Sequence, residues 1–297
     1  MILTCKLIKT NNKYPVKKIF VILISLISFG VSAQQKAADT SKKKLADTVK
    51  KDLLTAPDTV KKLHTNPLSL VPPIAMITYG SLSFVVHPIR RFDYYIKSEV
   101  AKTDPTFSTH AESYFQFTPV IAVYGLNLAG VVGKNRFIDR TALLGLSGGI
   151  LALTEGLTKR FTHRLRPNGA DYLSFPSGHT GLAFMGAEYL AQEYDAKSPW
   201  YGVFGYTVAT GTGVFRMYNR DHWFSDVVAG AGFGILSTKL AYLIYPPIRN
   251  WLTKGDQKAA EKSADNIDNK KKSRFHNTLL MPSVQGDAVG LAFSADF

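Results

Sequence analysis

Between Lys159 and Asp226 the chain carries three clusters of side chains suited to gripping and transferring a phosphoryl group. The first is Lys159 followed by Arg166-Pro167, the second Pro176-Ser177-Gly178-His179, and the third Arg216 with His222 and Asp226. A lysine offers a compact charge, and an arginine a planar fork that can hold two phosphate oxygens at once. Ser177 and Gly178 stand just before an apolar run, where a helix start would turn its N–H groups toward an anion. A serine at such a place is also an ordinary helix cap. Gly178, without a side chain, lets the backbone approach that anion closely.

His222 and Asp226 are four positions apart. On one helical turn that spacing would let the carboxylate accept the proton of one ring nitrogen and leave the other free as a nucleophile. Asp226 can equally cap the helix that follows it. Asp221, adjacent to His222, would point elsewhere on a helix and is given no role. Arg160, His163 and Arg164 read as a solvated basic face, and Pro167 reads as the stop of the helix that fixes where the Arg166 guanidinium points. Phosphoryl transfer needs charge stabilisation on three equatorial oxygens and in-line positioning, which three cations and backbone amides can supply. With no cysteine cluster and no paired-carboxylate metal pattern, the expectation is metal-independent chemistry without a cofactor. A zinc site from His179, His222 and Asp226, or a non-catalytic phosphate-binding module, is the alternative; the spacing matches no usual structural zinc pattern.

The segments that must bring these clusters together are apolar and rich in Gly and Tyr. Ser69–Val86, Phe117–Gly133, Thr141–Thr158, His179–Tyr194, Trp200–Phe215 and Val227–Tyr245 each read as a helix of about 16–20 residues, at or just below bilayer-spanning length. A polar stretch carrying Arg90, Arg91 and Asp93 runs to about residue 113. The expected fold is all-α: a bundle of about six core helices, embedded in or associated with a membrane, over residues 67–247. Its glycines would allow close helix packing.

Outside that domain the composition changes. Lys17 and Lys18 precede the apolar run Ile19–Val31, and Val31-Ser32-Ala33 follows with small residues, so residues 1–33 read as a cleaved signal. Export to a bacterial periplasm follows, with the domain integral to the inner membrane or soluble beside it. Residues 34–66 read as a disordered tether rich in Lys, Thr and Asp. Residues 248–274 read as a charged linker, and 275–297 as a β-hairpin turning at Gln285-Gly286-Asp287 and docked on the helical domain. The single cysteine, Cys5, lies inside the signal, so the exported chain would have neither disulfide nor thiol chemistry.

The formal charge is +14, of which five lysines in residues 1–33 supply part, leaving about +9 without them. A basic balance suits anionic lipid or phosphorylated substrates, and no nucleic-acid motif or protein-docking segment accompanies it.

The three clusters, in order, spacing and residue type, resemble the type 2 phosphatidic acid phosphatases, a superfamily that includes bacterial acid phosphatases and vanadium haloperoxidases. The resemblance implies that Lys159, Arg166 and Arg216 bind phosphate, with Ser177 and Gly178 completing the cradle. It implies that His222 attacks phosphorus to give a phosphohistidine, that Asp226 orients it, and that His179 protonates the leaving oxygen. Phe215 stands where the family pattern has a serine before the third-cluster arginine. The implied partner is a phosphorylated lipid or a small phosphoester.

Overall fold

The computed structural model describes residues 67–274, 278–285 and 288–295. The expected signal and tether lie outside the described residues. After a short 3₁₀ turn, Pro67–Leu70, come eight α-helices: α1 Val71–Leu82, α2 His87–Thr103, α3 Ala111–Phe115, α4 Thr118–Leu128, α5 Phe137–Thr162, α6 Gly178–Tyr194, α7 Trp200–Tyr218 and α8 Phe224–Arg274. That is two more than the apolar stretches predict, because α2 and α3 form inside the polar stretch. α1 and α2 meet at 87°, so α2 turns away from the line of α1 and carries Asp93 toward the middle of the chain. The helix that begins at Phe224 also continues through the charged residues read as a linker, as far as Arg274.

The chain divides into two compact units after Tyr245. In the first, Val123 of α4, Leu143 of α5, Tyr189, Leu190 and Tyr194 of α6, and Tyr242 of α8 form one buried cluster. Burying each of these large side chains stabilises the fold by about 1.5–3 kcal/mol. α6 and α7 approach through Ala183, Ala187 and Ala209, a small-residue contact that lets backbones lie close. α8 presses still closer to the start of α6. A Cβ at Gly230 would stand 2.5 Å from the Ser177 carbonyl oxygen, so any side chain there would push the first turn of α6 out of place. In the second unit, β1 (Thr278–Gln285) pairs antiparallel with β2 (Ala288–Ala295), Thr278 opposite Ala295 and Gln285 opposite Ala288.

Two helices, Phe137–Thr162 and the stretch Phe224–Thr253, are long and apolar enough to cross a membrane. On α5 the outward side is apolar: Leu153, Leu157 and Phe161, one turn apart, are 63%, 47% and 83% exposed. In water such a stripe would be an aggregation hazard, whereas hydrocarbon solvates it at no cost.

Candidate active site

Each cluster sits at a helix end in the first unit. Lys159 is in the last turn of α5, and its Nζ donates to the Pro176 carbonyl. α5 ends at His163, an exposed residue in the left-handed region with φ of 42°, whose N–H closes on the Lys159 carbonyl at 3.4 Å. The stop therefore comes four residues before Pro167, not at the proline.

From there the chain crosses to α6 in a loop tied to the α7–α8 connection. Asn168 N–H donates to the Arg220 carbonyl at 3.0 Å, and Trp223 Nε1 to the Leu165 carbonyl at 2.8 Å. Ser177 stands at the N-cap position of α6 with extended backbone. Its hydroxyl is 2.9 Å from Thr180 Oγ1 and does not cap the helix. Gly178 opens the helix where a Cβ would lie 3.3 Å from Glu155 Oε2. A side chain there would be a tight fit against Glu155, and its absence also lets an anion approach the backbone.

The arginines of the first and third clusters are held by partners within the protein. Arg166 Nε donates to Asp171 Oδ1 at 2.7 Å, and its Nη1 reaches the Asp221 carbonyl at 3.5 Å. Arg216 Nη1 is paired with Asp221 Oδ2 at 2.8 Å and with Glu112 Oε1 at 3.2 Å. Asp221, given no role above, thus links two of the expected phosphate-binding arginines, because residues 219–223 form a loop and not a helix. Phe215 is buried and packs against Phe107, ring centroids 6.2 Å apart and nearly parallel. The place of the family's serine is filled by an aromatic contact.

The two histidines differ in setting. His222 is buried in the loop before α8, and its Nδ1 lies 2.7 Å from the Ser174 carbonyl. A carbonyl can only accept, so Nδ1 carries the hydrogen and Nε2 keeps its lone pair. Asp226 Oδ2 is 3.8 Å from the same nitrogen, outside hydrogen-bond distance.

Asp226 instead binds Ser174 Oγ at 2.5 Å, the Trp223 N–H at 3.0 Å and Arg164 Nη1 at 2.6 Å. Its hold on His222 passes through Ser174, whose hydroxyl it grips and whose carbonyl grips the ring. It caps α8 from the first turn, reaching back to the Trp223 N–H, and not from the N-cap position. Burial pushes the His222 pKa below its ordinary value, against the raising effect of Asp226. His179, half-buried in the first turn of α6, has Ser113 Oγ 3.5 Å from its Nε2. Burial, together with the nearby charges of Arg216 and His222, brings its pKa down to about 4.

Arg164 departs most from the sequence reading. Arg160 and His163 are exposed as expected, but the Arg164 side chain is only 12% exposed and bridges Asp93 Oδ2 at 2.7 Å and Asp226 Oδ1 at 2.6 Å. It also donates to Ser225 Oγ at 2.8 Å and Ser83 Oγ at 3.1 Å. Asp93 in turn accepts from the Ser225 N–H at 2.8 Å. This network from α1, α2 and α8 fixes the base of His222, and local pattern gives no sign of it. Asp226 is committed to these donors, so it does not converge with His179 and His222 as a third metal ligand.

The PAP2 superfamily model matches residues 140–249, the stretch that holds all three clusters. A lipid A 1-phosphatase of Porphyromonas gingivalis is 38% identical over 142 residues, covering 47% of this chain and 32% of that protein. The match therefore spans about a third of the relative's length. Among solved structures, Aquifex aeolicus LpxE aligns at 18% identity with a TM-score of 0.38, over 48% of this chain and 92% of that one. A PAP2-type phosphatidylglycerolphosphate phosphatase from Bacillus subtilis aligns at 17% identity with a TM-score of 0.30, over 76% of this chain and 92% of that one. The likeness to the PAP2 superfamily therefore lies in residues 140–249, the stretch that holds all three clusters.

Proposed function

We propose that this protein is a phosphatase that hydrolyses a phosphomonoester or diphosphate of a lipid through a phosphohistidine. The observation that carries the reading is the 2.7 Å contact between His222 Nδ1 and the Ser174 carbonyl. It leaves the Nε2 lone pair available for attack. In the first step Lys159, Arg166 and Arg216, with Ser177 and the Gly178 N–H, hold the phosphoryl oxygens. His222 Nε2 bonds to phosphorus, the bond to the leaving oxygen breaks, and that oxygen takes a proton from His179. In the second step a water gives a proton back to His179 and attacks phosphorus, releasing phosphate and free His222. Asp226, Ser174 and Arg164 keep the ring in line throughout.

The 38% identical segment of a lipid A 1-phosphatase supports a lipid phosphate as substrate, and the exposed apolar stripe of α5 supports membrane insertion. In this reading a bundle of about six helices over residues 67–247 lies in the inner membrane with its site on the exported side. Residues 1–33 are removed on export, 34–66 tether the domain, and 275–297 form a hairpin.

The test is phosphate release from a panel of lipid and soluble phosphoesters, lipid A 1-phosphate among them. His222→Ala should lower release on the order of a thousandfold or more. Undiminished turnover by that variant ends the proposal. Extraction of the protein from membranes by carbonate would end the integral-membrane part of it.

A further inference from the structure

Lys159, Arg166, Arg216 and both histidines lie within residues 140–249, yet two groups that approach them come from outside that segment. Both are on α3. Glu112 is 1% exposed, and its Oε1 accepts from Arg216 Nη1 at 3.2 Å and from Asn219 Nδ2 at 3.1 Å. The next residue, Ser113, places its hydroxyl 3.5 Å from His179 Nε2. α3 is held against the end of α7 by a double amide clamp: Thr109 N–H donates to Asn219 Oδ1 at 3.1 Å, and Asn219 Nδ2 to the Thr109 carbonyl at 2.8 Å. Gln116 Nε2 closes the other end on the Ser113 carbonyl at 2.9 Å. A five-residue helix with no side-chain cap would not persist alone; these bonds give it a fixed place.

A plain structural ion pair would engage both carboxylate oxygens with the guanidinium edge, since that fork is the strong arrangement. Here Glu112 Oε2 and Arg216 Nε, both buried, have no hydrogen-bond partner among the described residues. Leaving such atoms unbonded costs stability. An anion bound at Arg216 would satisfy the Nε edge. Glu112 and Asp221 both act on Nη1, from two different chain segments. Together they fix the plane of the guanidinium while its Nε has no partner among the described residues.

Resting on the phosphatase reading above, we propose that α3 is the positioning element of the site. Glu112 sets the direction in which Arg216 meets phosphate, and Ser113 holds the His179 imidazole on the side where the leaving oxygen departs. Neither residue touches phosphorus; each acts through the group it holds. The element lies outside residues 140–249, the segment that the family model matches.

Binding of orthovanadate to the full chain in detergent, followed by calorimetry, reads Arg216 without turnover. Glu112→Ala should weaken vanadate about tenfold or more, and Glu112→Gln should recover most of that loss, because an amide oxygen still accepts from Arg216 and Asn219. Ser113→Ala should lower turnover of an alkyl phosphate about tenfold more than that of p-nitrophenyl phosphate, whose leaving oxygen needs no proton. Wild-type vanadate affinity in Glu112→Ala overturns the Glu112 role, as does an equal loss in the Ala and Gln variants. An equal fall with both leaving groups overturns the Ser113 role. If the unmodified protein binds vanadate and turns over soluble phosphoesters but no lipid, only the lipid assignment fails. If it binds no vanadate, the phosphatase reading and this proposal fall together.

Discussion

Two buried glutamates, Glu193 and Glu112, show how this protein separates structural polarity from polarity kept for a ligand. Glu193 at the end of α6 has both oxygens taken: Oε1 by Asn135 Nδ2 at 2.6 Å and Tyr242 OH at 2.5 Å, Oε2 by the Asn135 N–H at 3.0 Å. Its neighbour Tyr194 has its hydroxyl 2.6 Å from Asn127 Nδ2 and 3.0 Å from the Val131 carbonyl. Glu112, near the other end of α6, has one oxygen without a partner among the described residues, beside an arginine whose Nε is likewise unpartnered among them. A satisfied buried network locks a connection, here the α4–α5 loop onto α6. An unsatisfied one is either a defect or the complement of something absent. At a site flanked by His179, Arg216 and Asp221, the second explanation has the chemistry to support it.

Changes that break this contrast should differ in kind as well as size. The largest effect is expected at Arg164, whose charge is buried between Asp93 and Asp226. Arg164→Ala leaves two buried carboxylates without their cation and should cost about 3–5 kcal/mol, together with most of the activity. Denaturation in detergent and phosphate release would measure the two losses.

Glu193→Gln replaces an acceptor by a donor against the Asn135 N–H and should cost about 1–3 kcal/mol while leaving vanadate affinity unchanged. A variant that kept full stability but bound vanadate poorly would remove the contrast with Glu112.

The pH profile sharpens the same end of the molecule. The proposed mechanism needs His222 unprotonated and His179 protonated, and both pKa values lie below the ordinary histidine value, His179 at about 4. As pH rises through the His179 value, free enzyme with the proton donor in place is lost; as it falls through the His222 value, the nucleophile is lost. The maximum of kcat/KM should therefore lie on the acid side of pH 6.5, and a maximum above pH 7.5 would contradict these settings. The smallest effect is expected at Arg160, exposed only four residues before Arg164. Arg160→Ala should change stability by no more than about 0.5 kcal/mol. Thermal unfolding of Arg160→Ala beside Arg164→Ala shows how much of the arginine effect is burial.

Residues of the same type in one short stretch thus have opposite fates, and local sequence could not tell them apart. Lys159, Arg166, Ser177, Gly178, His179, Arg216, His222 and Asp226 could be singled out as candidates because their chemistry is local: a cation, a cap, an imidazole at a helix edge. Even their carriers were partly readable, since a glycine or serine before an apolar run marks a helix start. The four-residue spacing of His222 and Asp226 misled for a definite reason. The rule that such residues face each other holds inside a helix, and α8 begins at Phe224, after the histidine. The ring therefore turned to the carbonyl of Ser174, a backbone atom that no side-chain pattern encodes.

What the sequence determined by itself is an ordered set of charges and imidazoles at the ends of apolar segments, enough to propose a reaction class. What only the tertiary structure decided is who holds whom. Arg164 became the bridge behind His222 because α2 folds back to present Asp93. Glu112 and Ser113 entered the site because Asn219 clamps the Thr109 backbone onto α7. These pairings join residues scores of positions apart, and their energies arise from shared burial. Burial belongs to the packed chain and to no window of it.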